Sequence, residues 1–282
     1  MPSPSPEAFA LAERYRLGLA ETPHRGPAGD RLGKGTGASL EFQDRRVYVP
    51  GDDVRHLDWA AYGRTDQLMV RLYREEILPR VDLVVDGSKS MGVDAEKAQL
   101  TVDLAALLYS CARAGGFDAR LLLASDRPER IGLEQLQSEG LAFTGVRPLQ
   151  ESVQGALSEL RQGSIRILVS DFLSPHEASG LVRPLAARAG GIALLQVLGR
   201  ADATPEEGSA LRLTDVETGG TLDLVLDRRT IELYETRLGR LADGLARECR
   251  RAGGRFVSVT VGRPLDALCR TILARDGLLT PV

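Results

Sequence analysis

The clearest pattern in the chain is a short apolar run that ends in an acidic residue. The run Val81–Val85 is apolar apart from one aspartate, and it lies between Pro79 and Gly87. A run of this length bounded by proline and glycine is typical of a strand buried on both faces of a parallel sheet. Asp86 ends the run, at the carboxyl edge where open α/β sheets place their ligand sites. We therefore expect 81–86 to be a central strand that ends at a candidate site.

Strands and helices alternate along the rest of the chain. The apolar runs predict core strands at 81–86, 117–124, 165–170, 192–198 and 256–261. Helical spacing of apolar residues predicts helices at 95–114, 148–160, 177–189, 229–252 and 265–274. Two alternating runs between Leu211 and Leu226 flank a Thr-Gly-Gly turn, which predicts a β-hairpin. The predicted fold class is therefore α/β, with a largely parallel central sheet, helices on both faces and the hairpin as an insertion at 211–226.

The first 78 residues follow a different pattern. Apolar residues at helical spacing predict a helix at 7–20, and the stretch after it is rich in glycine and proline, as irregular loops are. Alternating residues predict strands at 40–49 and 68–76. We therefore divide the chain into residues 1–78, with a helix, a loop and a small β-rich segment, and residues 79–282, the α/β domain.

Composition excludes several classes of protein. The chain has 36 Lys and Arg against 39 Asp and Glu, a net charge of -3, so neither a nucleic-acid groove nor an anionic membrane surface is expected. No stretch reaches the ~18 apolar residues of a membrane span, and the N-terminus lacks the apolar core of a signal peptide. Cys111, Cys249 and Cys269 are far apart and lack the spacing of a zinc site, which favours buried, reduced thiols. We expect a soluble, cytoplasmic protein.

Candidate chemistry follows Asp86 directly. Ser88 and Ser90 stand at alternate positions after it, so a turn here can bring one carboxylate and two hydroxyl groups onto one centre. Oxygen ligands of this kind suit Mg²⁺, which keeps several waters and leaves room for an outside ligand. The same residues can also cap the following helix and close the turn without any ligand. Both interpretations stay open at this point.

A longer motif resembles a known family. The string Pro-Gly-Asp-Asp-Val-Arg-His-Leu-Asp-Trp at 50–59 and Ala-Tyr-Gly-Arg-Thr at 61–65 resemble the signature of the domain-of-unknown-function 58 family. The resemblance extends over roughly residues 30–275. It implies a von Willebrand factor A-like domain associated with MoxR-type AAA ATPases. We interpret the acidic residues of the string as turn residues with ion pairs to Arg55 and Arg64, rather than as a metal cluster.

The resemblance also implies a metal-ion-dependent adhesion site, in which an Asp-x-Ser-x-Ser loop is completed by a threonine and an aspartate from two other loops. Asp86, Ser88 and Ser90 match the first loop. Asp171, at the end of the third predicted core strand, matches the last loop. On this basis these four residues are the candidate Mg²⁺ ligands.

The middle loop departs from the family pattern. Counting back from Leu149, the first leucine of the next helix, puts Arg147 where the threonine is expected, and Thr144 lies three residues earlier. A guanidinium group can neutralise carboxylates as a metal ion does, in a fixed fork geometry. The adhesion site is therefore degenerate, and Arg147 is a candidate to replace the metal ion.

The function that we expect from these features is that of a non-enzymatic protein-interaction module. It would be an adaptor for a MoxR-type AAA ATPase in protein assembly or remodelling, a partner that the resemblance implies. An acidic group of the partner would bind at Asp86, Ser88, Ser90, Arg147 and Asp171. Either Mg²⁺ or Arg147 would supply the positive charge.

Two alternatives stay open. The chain could be a hydrolase or phosphoryl-transfer enzyme with Asp86 or Ser88 as nucleophile. Haloacid-dehalogenase-like enzymes, however, have a second aspartate where Ser88 stands, and the Gly-x-Ser-x-Gly motif of α/β-hydrolases is absent around it. Alternatively, Asp86 and Asp171 could belong to a salt-bridge and capping network that binds no ligand.

Overall fold

The chain forms twelve strands and ten α-helices in the part that the structure describes. The structure is a computed structural model that describes residues 1–21, 40–75, 79–208, 210–214 and 220–282. The strands are β1 Tyr15–Leu17, β2 Leu40–Val47, β3 Met69–Glu75, β4 Arg80–Asp86, β5 Asp118–Ala124, β6 Glu129–Ile131, β7 Ile165–Ser170, β8 Gly191–Leu198, β9 Ala210–Thr214, β10 Thr221–Val225, β11 Arg255–Thr260 and β12 Leu279–Pro281. The helices are α1 Pro6–Ala12, α2 Trp59–Thr65, α3 Ser90–Val93, α4 Ala95–Ala114, α5 Leu133–Glu139, α6 Leu149–Ala156, α7 Ala178–Ala186, α8 Arg200–Ala203, α9 Arg228–Arg251 and α10 Leu265–Leu268. Short 3₁₀ segments lie at Gly18–Glu21, Val54–His56 and Leu157–Glu159, and a π-helical segment lies at Cys269–Leu273.

A six-stranded sheet in the order β11-β8-β7-β4-β5-β6 forms the centre of the larger unit. All neighbouring strands are parallel except β5 and β6, which are antiparallel. The predicted α/β class and its largely parallel sheet are therefore confirmed, and each of the five predicted core strands ends within one residue of its expected limits. β4 pairs with β5 on one side and β7 on the other, as expected of a strand that is apolar on both faces.

Apolar side chains of β4 enter two separate cores. Leu83 and Val85 pack in the core that also contains Leu104 of α4. Val84 packs on the opposite face, in the core that also contains Leu245 of α9. Because successive residues of a strand point to opposite faces, this division shows that helices cover both faces of the sheet, as predicted.

The first helix is shorter than predicted. We expected a helix at 7–20, but α1 ends at Ala12 and β1 follows, paired antiparallel with β12. Tyr15 and Leu17 point to the same side of β1 and are both buried, so burial against the C-terminal strand overrides the helical pattern. Residues Met1–His24 belong to the same compact unit as Pro79–Val282. The observed division of the chain therefore differs from the predicted one, which separated residues 1–78 from the rest.

Residues Arg25–Leu78 form the second unit. Its strands β2 and β3 pair antiparallel, close to the two strands predicted there. The predicted hairpin at 211–226 is also present, as β9 and β10 in a two-stranded sheet of their own. Its Thr-Gly-Gly turn lies outside the described residues apart from Gly220. Among the described helices, none has the length and apolar character needed to cross a membrane.

Candidate functional site

The loop after β4 brings a carboxylate and two hydroxyl groups together. Asp86 is the last residue of β4, and its Oδ1 accepts a hydrogen bond from the backbone N of Ser88 at 2.9 Å. Ser88 Oγ lies 2.9 Å from Ser90 Oγ, at the start of α3. Gly87 lets the chain pass close to β5, because a Cβ there would lie 3.0 Å from the side chain of Leu123. The predicted turn is therefore formed, with Asp86 only 2% exposed.

The neighbouring strand end contributes two more residues. β7 lies beside β4 and ends at Ser170, whose Oγ donates a hydrogen bond of 2.6 Å to Asp86 Oδ2. Asp171 follows it and is 1% exposed. Its Oδ1 accepts a hydrogen bond from the backbone N of Leu173 at 3.0 Å. The parallel pairing of the two strands thus brings Asp86, Ser88, Ser90 and Asp171 to one end of the sheet, where the sequence placed them.

A buried lysine, which the sequence analysis did not select, pairs with Asp171. Lys97 lies in the first turn of α4 and is 4% exposed. Its Nζ donates to Asp171 Oδ2 at 2.9 Å and to Asp202 Oδ2 at 3.2 Å. Burial by itself lowers the pKa of Lys97, but the carboxylates of Asp171 and Asp202 outweigh this effect and raise it. The group is therefore an ammonium ion at neutral pH.

Asp86, unlike Asp171, has no cationic side chain paired with its carboxyl group among the described residues. Burial, together with the nearby carboxylate of Asp171, raises the pKa of Asp86 to about 6. The hydrogen bonds from Ser170 and Ser88 act in the opposite direction and keep the shift smaller. Burial disfavours the charged form of any carboxyl group, and a like charge nearby adds to the effect. Asp86 thus ionises in the neutral range, beside hydroxyl groups rather than beside a cation.

Arg147 does not pair with either carboxylate. Its side chain is exposed, and its backbone N donates to Asp126 Oδ1 at 3.0 Å. Among the described residues, the guanidinium group makes no ion pair within 4.0 Å, so Lys97 and not Arg147 supplies the cation at Asp171. Thr144 is exposed as well. The idea that Arg147 replaces the metal ion is therefore corrected.

Arg147 instead belongs to a rim beside the two serines. The backbone N of Lys89 donates to Gly145 O at 2.9 Å, which joins the loop after β4 to the loop that carries Val146 and Arg147. Lys89 and Arg147 are exposed cations that both lower the pKa of Asp126, after the larger effect of the hydrogen bonds from the backbone of residues 146 and 147. Val93 and Val146 are exposed apolar residues of the same two segments. We call Lys89, Val93, Val146 and Arg147 the rim.

The residues present do not fit Mg²⁺ held by both aspartates. Asp171 uses one oxygen for the Lys97 ammonium group and the other for a backbone N. Both oxygens of Asp86 accept hydrogen bonds, Oδ1 from the backbone N of Ser88 and Oδ2 from the hydroxyl group of Ser170. No group of three or more His, Cys, Asp or Glu is arranged to hold a metal ion within the ranges that the structure describes. Because the Lys97 ammonium group already balances the charge of Asp171, what remains for an ion is the carboxylate charge of Asp86 and two neutral hydroxyl groups, a weak set for an ion that dehydrates reluctantly.

The acidic residues of the 50–59 string are also engaged, in the second unit. Asp53 accepts a hydrogen bond from Arg55 N at 3.0 Å and pairs with the same guanidinium group, as expected. Asp52 pairs with Arg46. Asp58 pairs with Arg45 and Arg71 rather than with Arg64. Turn chemistry and ion pairs therefore account for this cluster, although one arginine was predicted wrongly.

Comparisons with known proteins place the chain in a family. An uncharacterised protein of Mycobacterium tuberculosis, Rv1480, is 28% identical over 251 residues, which cover 83% of this chain and 79% of the relative. The uncharacterised protein Mb1516 of Mycobacterium bovis matches with the same values. Among solved structures, BatB from Bacteroides thetaiotaomicron has a TM-score of 0.36 at 13% identity, covering 65% of this chain and 91% of that one. An aerotolerance-related membrane protein from Bacteroides fragilis has a TM-score of 0.37 at 13% identity, covering 71% and 98%.

The structural likenesses are too weak to carry an argument, because both TM-scores lie below 0.5. The family assignment depends instead on the family model described as "Protein of unknown function DUF58", which matches residues 44–240. That range contains the 50–59 string, the strand-end loop after β4 and most of α9. The chain belongs to the DUF58 family.

Proposed function

We propose that the chain is a non-enzymatic protein-interaction module whose rim binds an acidic group of a partner protein. The observation that carries this proposal is the pair of exposed cations, Lys89 and Arg147, on two adjoining segments, one of which also carries the partly exposed Ser90. Neither cation has an ion-pair partner within 4.0 Å in the described part of the chain. Unpaired cations and hydroxyl donors suit a carboxylate, and arginine offers the fork geometry that carboxylates accept.

Apolar residues of the rim support a protein as the partner. Val93 is 66% exposed and Val146 is 42% exposed, on the two segments that also carry the cations. Protein interfaces combine apolar contact with polar groups at their edge. A small ion or metabolite would gain little from two exposed valines, whereas a protein surface with an acidic side chain beside apolar residues would use both.

The proposed fold family and the proposed partner are both those that the family resemblance implies. A von Willebrand factor A-like domain is supported by the central position of β4 and by the meeting of Asp86 and Asp171 at adjacent strand ends. A MoxR-type AAA ATPase is the proposed partner, for an adaptor role in protein assembly or remodelling. The resemblance of the 50–65 segment to the family signature supports this partner. The free, buried cysteines support action in the reducing cytoplasm.

A non-enzymatic role is supported by the state of the two candidate nucleophiles. Asp86 is buried, and both its oxygens accept hydrogen bonds within the fold. Ser88 Oγ lies 2.9 Å from the hydroxyl group of Ser90, which is not a general base. A nucleophile needs an adjacent base or a lowered pKa.

Charge reversal at the rim tests the proposal. The double variant Lys89→Glu/Arg147→Glu is compared with Arg237→Glu/Arg240→Glu, which reverses two exposed charges on α9. Binding of each purified protein to a purified MoxR-type ATPase from the same organism is followed by biolayer interferometry at several salt concentrations. We expect the rim variant to associate more slowly and with weaker salt dependence than wild type, because rim charges act mainly on association.

The control variant should bind as wild type does, and both variants should keep the thermal midpoint of wild type. Equal affinities of the two double variants for the ATPase would exclude the rim as its binding surface. Failure of wild type itself to bind would exclude the proposed partner.

A further inference from the structure

The ammonium group of Lys97 occupies the charged centre of the strand-end site. It lies 2.9 Å from Asp171 Oδ2 and 3.2 Å from Asp202 Oδ2, and the lysine is almost completely buried. A lysine is rarely buried unless it is paired. Here one ammonium group donates to two carboxylates, that of Asp171 after β7 and that of Asp202 after β8.

We propose that Lys97 takes the place of the metal ion that the family resemblance implies, so that the site is built and binds its partner without a divalent cation. The statement about the partner rests on the proposed function. The statement about the ion rests only on the contacts of Lys97 and can be tested without any partner.

Electrostatic repulsion disfavours a divalent ion beside Lys97. A divalent ion that used Asp171 would have to displace the ammonium group from Oδ2 or lie close to it, and the two cations would repel each other in a buried setting where charges interact strongly. The other oxygen of Asp171 accepts a hydrogen bond from the backbone N of Leu173, and the negative charge of this carboxylate is already balanced by the ammonium group. Asp86 alone would then supply the charge that holds the ion, with hydroxyl groups that add none.

The fold also holds Lys97 in place beside Asp171. Asp94 caps α4 by accepting hydrogen bonds from the backbone N of Glu96 at 2.8 Å and of Lys97 at 3.1 Å, which fixes the first helical turn. Asp202 is held by its hydrogen bond from the backbone N of Gly199 at 3.0 Å. The hydroxyl group of Tyr234 donates to the carbonyl O of Asp202 at 2.7 Å. The fold thus holds the backbone of Lys97 through the helix cap and its Nζ through Asp171 and Asp202. Asp202 is itself held by Gly199 and Tyr234.

Thermal unfolding with and without Mg²⁺ tests the inference on the wild-type protein. The chelator-treated protein is heated in excess EDTA and in millimolar MgCl₂ at matched ionic strength. A ligand that binds only the folded state raises the midpoint as its concentration rises. We expect no saturable rise for wild type. A saturable rise that Asp86→Asn abolishes would overturn the inference, and this result does not depend on how any Lys97 variant folds.

Removal of the ammonium group should create the metal site. In Lys97→Met the carboxylates of Asp171 and Asp202 lose their cation, so we expect Mg²⁺ to raise the midpoint of this variant in a saturable manner. Arg237→Met is the matched control, because it removes an exposed cation of α9 that has no carboxylate within 4.0 Å among the described residues and lies outside the loops of the site. It should stay insensitive to Mg²⁺, as wild type does. A merely structural role for Lys97 would lower the midpoint equally with and without Mg²⁺, and that outcome would contradict the replacement.

The partner provides a separate readout. Wild type is tested for binding to the MoxR-type ATPase in EDTA and in MgCl₂, with the nucleotide state of the ATPase held fixed. We expect equal affinity in the two buffers. Binding that disappears in EDTA and returns with Mg²⁺ in wild type but not in Asp86→Asn would overturn the inference. If wild type binds in neither buffer, the proposed function fails, while the thermal titration still decides the role of Lys97.

Discussion

Among single residues, Asp86 has the most unusual environment in the strand-end site. It is buried at the end of the central strand, and the cation of the site lies on Asp171 rather than on Asp86. Its two hydrogen bonds, from the hydroxyl group of Ser170 and the backbone N of Ser88, hold the carboxyl group in place. Hydrogen bonds of this kind only partly replace water, so a charge left there destabilises the folded state.

The stability of the protein should therefore depend on pH through Asp86. The pKa of the folded state, about 6, lies above the value of about 3.9 for an unfolded aspartate. The folded state binds the proton more tightly, so the contribution of Asp86 is complete below about pH 4 and is lost as the pH rises through about 6. A shift of about two pKa units corresponds to about 3 kcal/mol.

Urea denaturation at a series of pH values measures this effect. The free energy of unfolding of wild type should fall relative to that of Asp86→Asn as the pH rises from about 4 to about 7, by up to about 3 kcal/mol. Asp243→Asn, an exposed change on α9, is the control for general effects of charge. A difference between wild type and Asp86→Asn that stays constant over this range would show that Asp86 titrates normally.

A second buried aspartate, Asp82, lies near the amino end of β4, and Arg161 pairs with it. Asp82 is fully buried, and both its oxygens accept hydrogen bonds of 2.8 Å from Arg161, one from Nε and one from the backbone N. The same guanidinium group donates to the carbonyl groups of Val81 and Asp118. Arg161 thus ties β4 to β5 at their amino ends.

Replacement of Arg161 by methionine should be strongly destabilising. It removes the guanidinium group that pairs with the buried Asp82 carboxylate and leaves that carboxylate only the hydrogen bond from the backbone N of residue 161, a loss of about 3–5 kcal/mol in the free energy of unfolding. Arg130→Met removes an exposed ion pair with Glu159 and should cost no more than about 1 kcal/mol. Urea denaturation of both variants distinguishes the two cases. Equal losses would mean that Asp82 finds another partner or water.

At the scale of elements, one carboxylate organises the second unit. Asp58 is buried and caps α2 by accepting a hydrogen bond from Ala61 N at 3.0 Å. It also pairs with Arg45 of β2 and Arg71 of β3. The hydrogen bond from Arg71 and then that from Ala61 hold the pKa of Asp58 well below its usual range. Its contribution to stability is therefore present above about pH 4 and is lost only as the pH falls further.

Asp58→Asn should loosen α2 without unfolding the larger unit. The amide oxygen can still cap the helix, but both ion pairs are lost. We expect faster hydrogen exchange of the α2 amides at neutral pH, measured by mass spectrometry, and unchanged exchange in β4 and β7. Trp59→Ala is the control on the same helix, because Trp59 is 65% exposed and its loss removes little buried area. An equal effect of both changes would argue against the carboxylate as the organising group.

The elements of the large unit were predictable to different degrees. The core strands were found because each is an apolar run bounded by glycine, proline or polar residues, a pattern that burial on two faces imposes. β6 and α5 were missed, since 125–147 has no sustained period. The end of α1 was misplaced because the pairing of β1 with β12 joins residues that are distant in sequence. A local pattern cannot report such a contact.

The candidate site was predictable where strand ends determine it. Asp86, with Ser88 and Ser90 in the turn after it, was placed at a strand end by the apolar run that precedes it, whereas Asp171 was added only through the family resemblance. The parallel pairing of β4 with β7 brings all four to one edge of the sheet. Lys97 was missed because a lysine near the start of a helix is usually exposed. The structure shows what the sequence left open: Lys97 and Thr101 are four residues apart on one helical face, and both are buried. A lysine on the buried face of a helix needs a carboxylate partner, and Asp171 is that partner.

At the scale of the whole molecule, the three cysteines are distributed over the two hydrophobic cores, one on each face of the central sheet. Cys111 and Cys269 lie in the core that covers one face of the central sheet, and Cys249 lies in the core on the other face. Burial is the largest cause that raises the pKa of each thiol to about 12. Because the thiolate is the reactive form, each thiol is protected both by its low ionisation and by the atoms packed around it.

We expect all three thiols to react with a disulfide reagent such as Ellman's only when the sheet unfolds. In native buffer the reaction should be far slower than that of a free cysteine, and in rising urea Cys249 should become reactive at the same concentration as Cys111 and Cys269. The common midpoint follows because β4 contributes side chains to both cores, so neither core can open while the strand stays in place. Single Cys→Ser variants, with labelling followed by mass spectrometry, assign each reaction to its residue. Labelling of Cys249 at a lower urea concentration than the other two would show that the core under α9 opens independently.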